Sequence, residues 1–335
     1  MACTELRWGK GLLVATVKPQ LVFVHGIGGL RDAETERRQW LRALATGARA
    51  AGHAESVSAL TQGWLADARF ADYSALFTPR GAQGGPSAGE LDPSEEEFVA
   101  RLLDAMVEEL AERFPPETGS REARVAGQAR HHLDALASGS RAQGPGEFGR
   151  RLVWVTTTLL QLPGLRQTAQ WLNGQAFALH LAQVARYLNR QGDKAALGAA
   201  VRSRVLDGWD PSRPLVVVAH SLGTVVAYEA LHEYEGPVDL WVTLGSPLAL
   251  GGVVLQRLVP RPPSCPENVG AWLNFWDRDD VIAGRPRLAD WIAPSGRGVK
   301  AETAPVRSAG LWTHTATTYL EHAEVAGPIV QALLP

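Results

Sequence analysis

Apolar residues along this chain fall into two alternating patterns. Short unbroken runs rich in Val and Leu are separated by longer segments in which apolar side chains recur every three or four positions. The first kind reads as strands buried on both faces, the second as helices with one buried stripe. Leu21–Val24 is such a run, and Leu12–Val17 reads as a further strand before it. Glu34 to Ala51 places Trp40, Leu41, Leu44 and Ala48 at helical spacing, with Gly52 as its stop. Ser56–Leu60 reads as a short strand. Glu95 to Phe114 is the cleanest helix, with Phe98, Leu102, Met106 and Leu110 on one face, a Ser94/Glu97 capping box before it and Pro115-Pro116 ending it.

Two stretches break this rhythm. Residues Thr78–Gly89 and Glu117–Phe148 are polar, glycine-bearing and poor in large apolar side chains, and read as loops or insertions. Leu152–Leu165 and Thr168–Asn189 are apolar with helical spacing. The region 78–205 therefore reads as insertions within one domain spanning 1–335. Its helical part from 150 to 205 fits either helices packed on the sheet or a cap over an active site. From Leu215 the alternation becomes regular: Leu215–Ala219 strand, Thr224–Tyr234 helix, Leu240–Leu244 strand, Ala249–Leu258 helix, Trp272–Phe275 strand, Thr317–Leu334 helix. The expected class is α/β with a mainly parallel sheet and helices on both faces.

Composition narrows the function. With 33 Lys and Arg against 35 Asp and Glu the formal charge is −2, which lacks the basic excess of a nucleic-acid binder. The two cysteines, Cys3 and Cys265, form neither a disulfide framework nor a metal-ligand spacing. Met1 to Lys18 has no secretory h-region, and no apolar run reaches the ~18 residues that span a bilayer. The expectation is a cytoplasmic protein without an integral membrane segment.

The chemistry concentrates in Leu215-Val216-Val217-Val218-Ala219-His220-Ser221-Leu222-Gly223-Thr224, a buried strand running into a serine and then a helix. Small residues at two positions on either side of Ser221 suit a sharp turn between strand and helix. This resembles the nucleophile elbow of the α/β-hydrolase superfamily, with Ala219 where G-x-S-x-G has its first glycine. Leu21–Val24 followed by His25-Gly26-Ile27-Gly28-Gly29 resembles the strand and oxyanion loop of lipases and esterases, and no P-loop lysine follows it. Val242–Pro247 is similar to the strand and turn after the elbow helix in many lipases. The His-Gly and Ala-His-Ser-Leu-Gly pair is also similar to bacterial hydrolases and to esterases acting on lipid-anchored inositol.

The resemblance implies an α/β-hydrolase fold and a Ser-Asp-His order of catalytic residues. Ser221 is then the nucleophile. The Ile27 N–H, with Gly28 as the fallback, and the Leu222 N–H form the oxyanion hole. Asp277, Asp279 and Asp280 compete as the acid, and Asp280 best meets the lipase spacing from Asn274 to Ile282. His314 is the base, while His322 lies inside the helical pattern. His25 braces its loop, and Ser246 before Pro247 has a structural role. The implied activity is cleavage of a lipid or small acyl ester. Acyl transfer, amide or peptide cleavage, a bacterial defence or signalling role, and a non-catalytic binding scaffold stay open. No cofactor is expected. His131-His132 is a weak metal pair, and Trp154, Trp171 and Trp312 are candidates for an acyl pocket.

Overall fold

Six strands pair side by side, all parallel, in the order β2-β1-β3-β4-β5-β6. They are β1 (Gln20–Val24), β2 (Asp67–Ala71), β3 (Leu215–His220), β4 (Leu240–Leu244), β5 (Trp272–Asp277) and β6 (Ala301–Val306). The computed structural model describes residues 17–26, 28–77, 91, 93–138, 145–162, 174–189, 192–280, 282–308 and 313–334. Expected features at Leu12–Thr16, Ile27, Thr78–Gly89, Trp171 and Trp312 lie outside the described residues.

Strand periodicity of two divides the core. Leu21 and Phe23 of β1 and Val216 and Val218 of β3 join one buried cluster, while Val22, Val24, Val217 and Ala219 join another. The first face is covered by α1 (Ala33–Ala50), α2 (Val57–Thr61), α9 (Ala316–Leu320) and α10 (Ala323–Leu333). The second is covered by α8 (Leu222–Glu233) and by an inserted layer, α3 (Pro93–Arg113), α4 (Arg121–Ser138), α5 (Pro145–Leu159), α6 (Gly174–Leu188) and α7 (Gly192–Leu206). Phe98, Leu133, Leu159 and Phe177 of that layer belong to the same cluster as the sheet residues. Helix α8 is buried on all sides from Leu222 to Leu231, as expected of a helix between sheet and inserted layer.

Local chemistry explains the boundaries. Asp32 caps α1 by accepting the Thr35 N–H at 2.8 Å, and Gly52 follows the helix at φ 88°. Because every strand runs the same way, the segments after β1, β3, β4 and β5 emerge at one sheet edge. That edge is where ligands bind in open parallel sheets.

The structure corrects four sequence expectations and adds a strand. Ser56–Leu60 is not a strand but part of a 3₁₀ turn and the short helix α2; the strand is Asp67–Ala71. Its polar alternation suits an edge, where Asp67 pairs with Lys18 and Arg213. Within Glu117–Phe148, Arg121–Ser138 is a helix and Pro145–Phe148 begins another; the first escaped the apolar pattern because its buried stripe is built largely of small side chains, Ala123, Val125, Ala126 and Ala129. Ala249–Leu258 is a series of turns ending in a 3₁₀ helix at Leu255–Arg257, interrupted at Gly251-Gly252, where Gly252 has φ 70°. Thr317–Leu334 divides into α9 and α10 at Glu321-His322, and β6 is an edge strand carrying Pro305.

At this division the C-terminal segment packs tightly on α1. A Cβ on Gly47 of α1 would lie 2.4 Å from the Leu320 carbonyl oxygen and 2.7 Å from Ala326 Cβ. Among the described residues, no helix is long and apolar enough to cross a membrane. Gly47→Ala should gain helix propensity yet lose a net ~1–2 kcal/mol through overpacking, read from the urea midpoint. An unchanged midpoint would contradict this packing.

Candidate active site

Strand β3 delivers Ser221 to the sheet edge at φ 55°, ψ −130°, the one non-glycine residue with positive φ among the described residues. Such a conformation persists only when its surroundings hold it. Here the Ser221 N–H donates to the Leu244 carbonyl (3.1 Å), and its own carbonyl accepts from the Thr224 N–H (2.9 Å) and hydroxyl (2.7 Å). Glycine is required beside it. A Cβ on Gly223 would sit 2.3 Å from the His25 carbonyl oxygen, and one on Gly26 would sit 2.6 Å from Ser221 Cβ. Ala219 is fully buried in the core, so the extra methyl relative to glycine is accommodated as packing.

His314 Nε2 lies 3.0 Å from Ser221 Oγ, and His314 Nδ1 lies 2.8 Å from Asp280 Oδ2. All three side chains are buried, Asp280 completely. An ionised Asp280 can only accept, so Nδ1 carries the proton and Nε2 is left to accept from the serine hydroxyl. The Asp280 carboxylate also receives the Tyr319 hydroxyl on Oδ2 (2.7 Å) and the Ile282 and Ala283 N–H groups on Oδ1 (3.0 and 3.3 Å). Burial pushes its pKa up, but His314 beside it and the hydrogen bonds from His314 and Tyr319 outweigh this and hold it below the ordinary carboxylate value.

The other two carboxylates have different work. Asp277, at the end of β5, accepts the Asp279 N–H (2.9 Å) and the Ser308 N–H (2.6 Å), so it shapes the turn. Asp279 is exposed, and partial burial with Asp277 nearby raises its pKa. His322 stands at the N-cap position of α10 and pairs through Nε2 with Ser308 Oγ at 3.2 Å. Ser246 Oγ bonds Thr224 Oγ1 at 2.8 Å and accepts the Leu248 N–H. His25 braces its loop: Nδ1 bonds the Gly26 carbonyl at 2.6 Å, and the ring stacks on Tyr73 at 4.0 Å.

Of the expected oxyanion donors, Leu222 opens α8. Its N–H is among those that have no acceptor within the helix, and Ser221 does not cap it. The helix N-terminus adds a positive dipole end at this point. Ile27 lies outside the described residues. The Gly28 N–H donates to Gln183 Oε1 (3.0 Å), so the fallback donor is already committed.

Three supporting residues escaped the sequence reading. Tyr319 bridges the acid turn, donating to Asp280 and accepting the Asp277 N–H at 3.0 Å. Arg113 of α3 donates to the carbonyls of Arg278 (3.0 Å), Asp280 (2.7 Å) and Ala283 (2.8 Å), tying the inserted layer to the acid loop. Gly245, at φ 52°, must lack a Cβ because one would lie 2.5 Å from Asp280 Oδ2. Only the glycine in Leu-Gly-Ser-Pro carried any signal beforehand. Trp154 is exposed, at 59% of its surface, which does not suit an acyl-pocket wall. His131 and His132 have no third ligand, since no group of three or more His, Cys, Asp or Glu suited to a metal occurs among the described residues.

Comparison of the chain with protein-family models, with curated proteins and with solved structures returns no match.

The lowered Asp280 pKa fixes the sign of a pH effect. Its stabilisation is complete above the ordinary carboxylate value of 3.8 and disappears as pH falls through the lower folded-state value. Asp280→Asn should cost ~2 kcal/mol in urea unfolding at pH 7, from lost charged hydrogen bonds. The gap to wild type should shrink on acidification below 3.8. A gap independent of pH would contradict an ionised Asp280.

Proposed function

We propose that this protein is a serine hydrolase of the α/β-hydrolase type that cleaves a carboxylic ester through an acyl-enzyme. The observation that carries this reading is the continuous hydrogen-bond chain Asp280–His314–Ser221, assembled from three separate loops around a serine at positive φ. The order of the parts supports the fold as well. The serine follows a central strand, the acid follows a strand two places along, and the histidine precedes the last helices. The glycine turn expected to help bind the oxyanion follows β1, the strand beside β3.

The mechanism follows from these roles. Ser221 Oγ attacks the ester carbonyl carbon while His314 Nε2 takes its proton. Asp280 holds the tautomer and balances the imidazolium without itself being protonated. The carbonyl oxygen becomes an oxyanion near the Leu222 N–H and the positive end of α8. Collapse breaks the ester C–O bond, and His314 returns its proton to the departing alcohol. Water, activated by the same imidazole, then attacks the acyl-serine and releases the acid and the free hydroxyl. An ester demands less of this machinery than an amide does, because an alkoxide is a better leaving group than an amide anion.

A fluorophosphonate probe should label wild type and not Ser221→Ala; an inert wild type would sink the hydrolase reading. On p-nitrophenyl esters of rising chain length, Ser221→Ala and His314→Ala should each lower kcat by ~10⁴-fold or more. Asp280→Ala should lose more activity than Asp279→Ala or Asp277→Ala, and the reverse order would move the acid elsewhere.

A further inference from the structure

We infer that Gln183, on inserted helix α6, is a positioning residue for the oxyanion turn, an assignment that rests on the serine-hydrolase reading above. Its side-chain amide makes two hydrogen bonds to one backbone residue. Oε1 accepts the Gly28 N–H at 3.0 Å, and Nε2 donates to the Gly28 carbonyl at 2.8 Å. The donor of Gly28 must meet the amide oxygen and its acceptor the amide nitrogen, so only one orientation of the glutamine satisfies both. The pair joins residues 155 positions apart and ties the inserted layer directly to the turn after β1.

The turn is held on the other side too. The Gly26 carbonyl is bonded to His25 Nδ1, and that carbonyl shares a rigid planar unit with the N–H of position 27, the expected oxyanion donor. The Gly28 N–H shares its own planar unit with the carbonyl of position 27. His25 and Gln183 therefore fix the backbone groups on either side of position 27, the Gly26 carbonyl from the end of β1 and the Gly28 amide from the inserted layer. The same bond withdraws the Gly28 N–H from the oxyanion, which separates one donor of this turn from its neighbour.

Gln183 can impose a position because its helix is itself anchored. One turn on, Arg186 makes a two-pronged pair with Glu95 of α3 at 2.8 and 3.1 Å. Next to it, the Tyr187 hydroxyl donates to the buried Glu229 carboxylate of α8 at 2.7 Å. Helix α8 is the one that carries Leu222 at its N-terminus. The two sides of the oxyanion site are thus referenced to each other through α6. A donor misplaced by a fraction of an ångström loses transition-state stabilisation while the ground-state ester binds as before.

The test compares wild type with Gln183→Met, which keeps the shape and loses both bonds, and with Gln183→Glu, which keeps only an acceptor. For p-nitrophenyl acetate hydrolysis, kcat should fall ~10–100-fold in Gln183→Met, with KM within about twofold of wild type. The Ki of an alkyl boronic acid, which forms a tetrahedral adduct on the serine, should rise by the same factor. Gln183→Glu should lie between the two proteins. Values of kcat and boronate Ki within about twofold of wild type in both variants would overturn the positioning role alone. So would a fall in kcat that the boronate Ki does not follow, since that is what a loss of folded protein produces. A wild type inert to ester and fluorophosphonate alike would overturn the hydrolase reading and this role together.

Discussion

The carboxylate of Asp280 is a full negative charge with no access to water, and the end of the sheet where it lies is arranged to compensate it. A buried charge is tolerated only when paired and hydrogen-bonded on its remaining lone pairs. His314 and Tyr319 meet one oxygen, and the Ile282 and Ala283 N–H groups meet the other. That requirement reaches outward. Gly245 must be glycine to leave room for Oδ2, Arg113 must hold the loop's carbonyls, and Tyr319 must arrive on a short helix capped by Thr315. Beyond Tyr319 on α9, the break at Glu321-His322 packs on Gly47 and α10 covers the sheet.

Ser221 imposes a second constraint of a different kind. Its positive φ stores conformational strain that strand β3, buried at every position, and helix α8, buried along most of its length, jointly hold in place. The close approach of the β1 turn makes Gly26 and Gly223 obligatory. The serine hydroxyl, the helix N-terminus and the glycine turn are therefore consequences of one packing arrangement between neighbouring parallel strands.

The inserted helices do more than cover a face of the sheet. Through Arg113 they reach the acid loop, and through Gln183 they reach the turn after β1. Glu95–Arg186 and Tyr187–Glu229 fasten the layer to itself and to α8. A movement of α6 would be felt at the turn and at the elbow helix together. That is a physical reason to treat helices α3 and α6 as part of the site's scaffold and not as decoration on it.

The chain alone determined the alternation of strands and helices, the mainly parallel class, the strand-to-helix turn at Ser221 and the candidates His314 and Asp280. These signals are local: a strand buried on both faces reads as an unbroken apolar run, and a sharp turn demands small residues at fixed offsets. Edge strands β2 and β6 were invisible because their polar positions and Pro305 suit solvent exposure. Helix α4 was hidden because alanines make up most of its buried stripe. Only the tertiary structure decided among Asp277, Asp279 and Asp280 as partner of His314, because their spacing differs by a residue or two while their environments differ completely. It alone revealed Tyr319, Arg113 and Gln183, whose partners lie 39 to 170 residues away in the chain, contacts that no local pattern encodes.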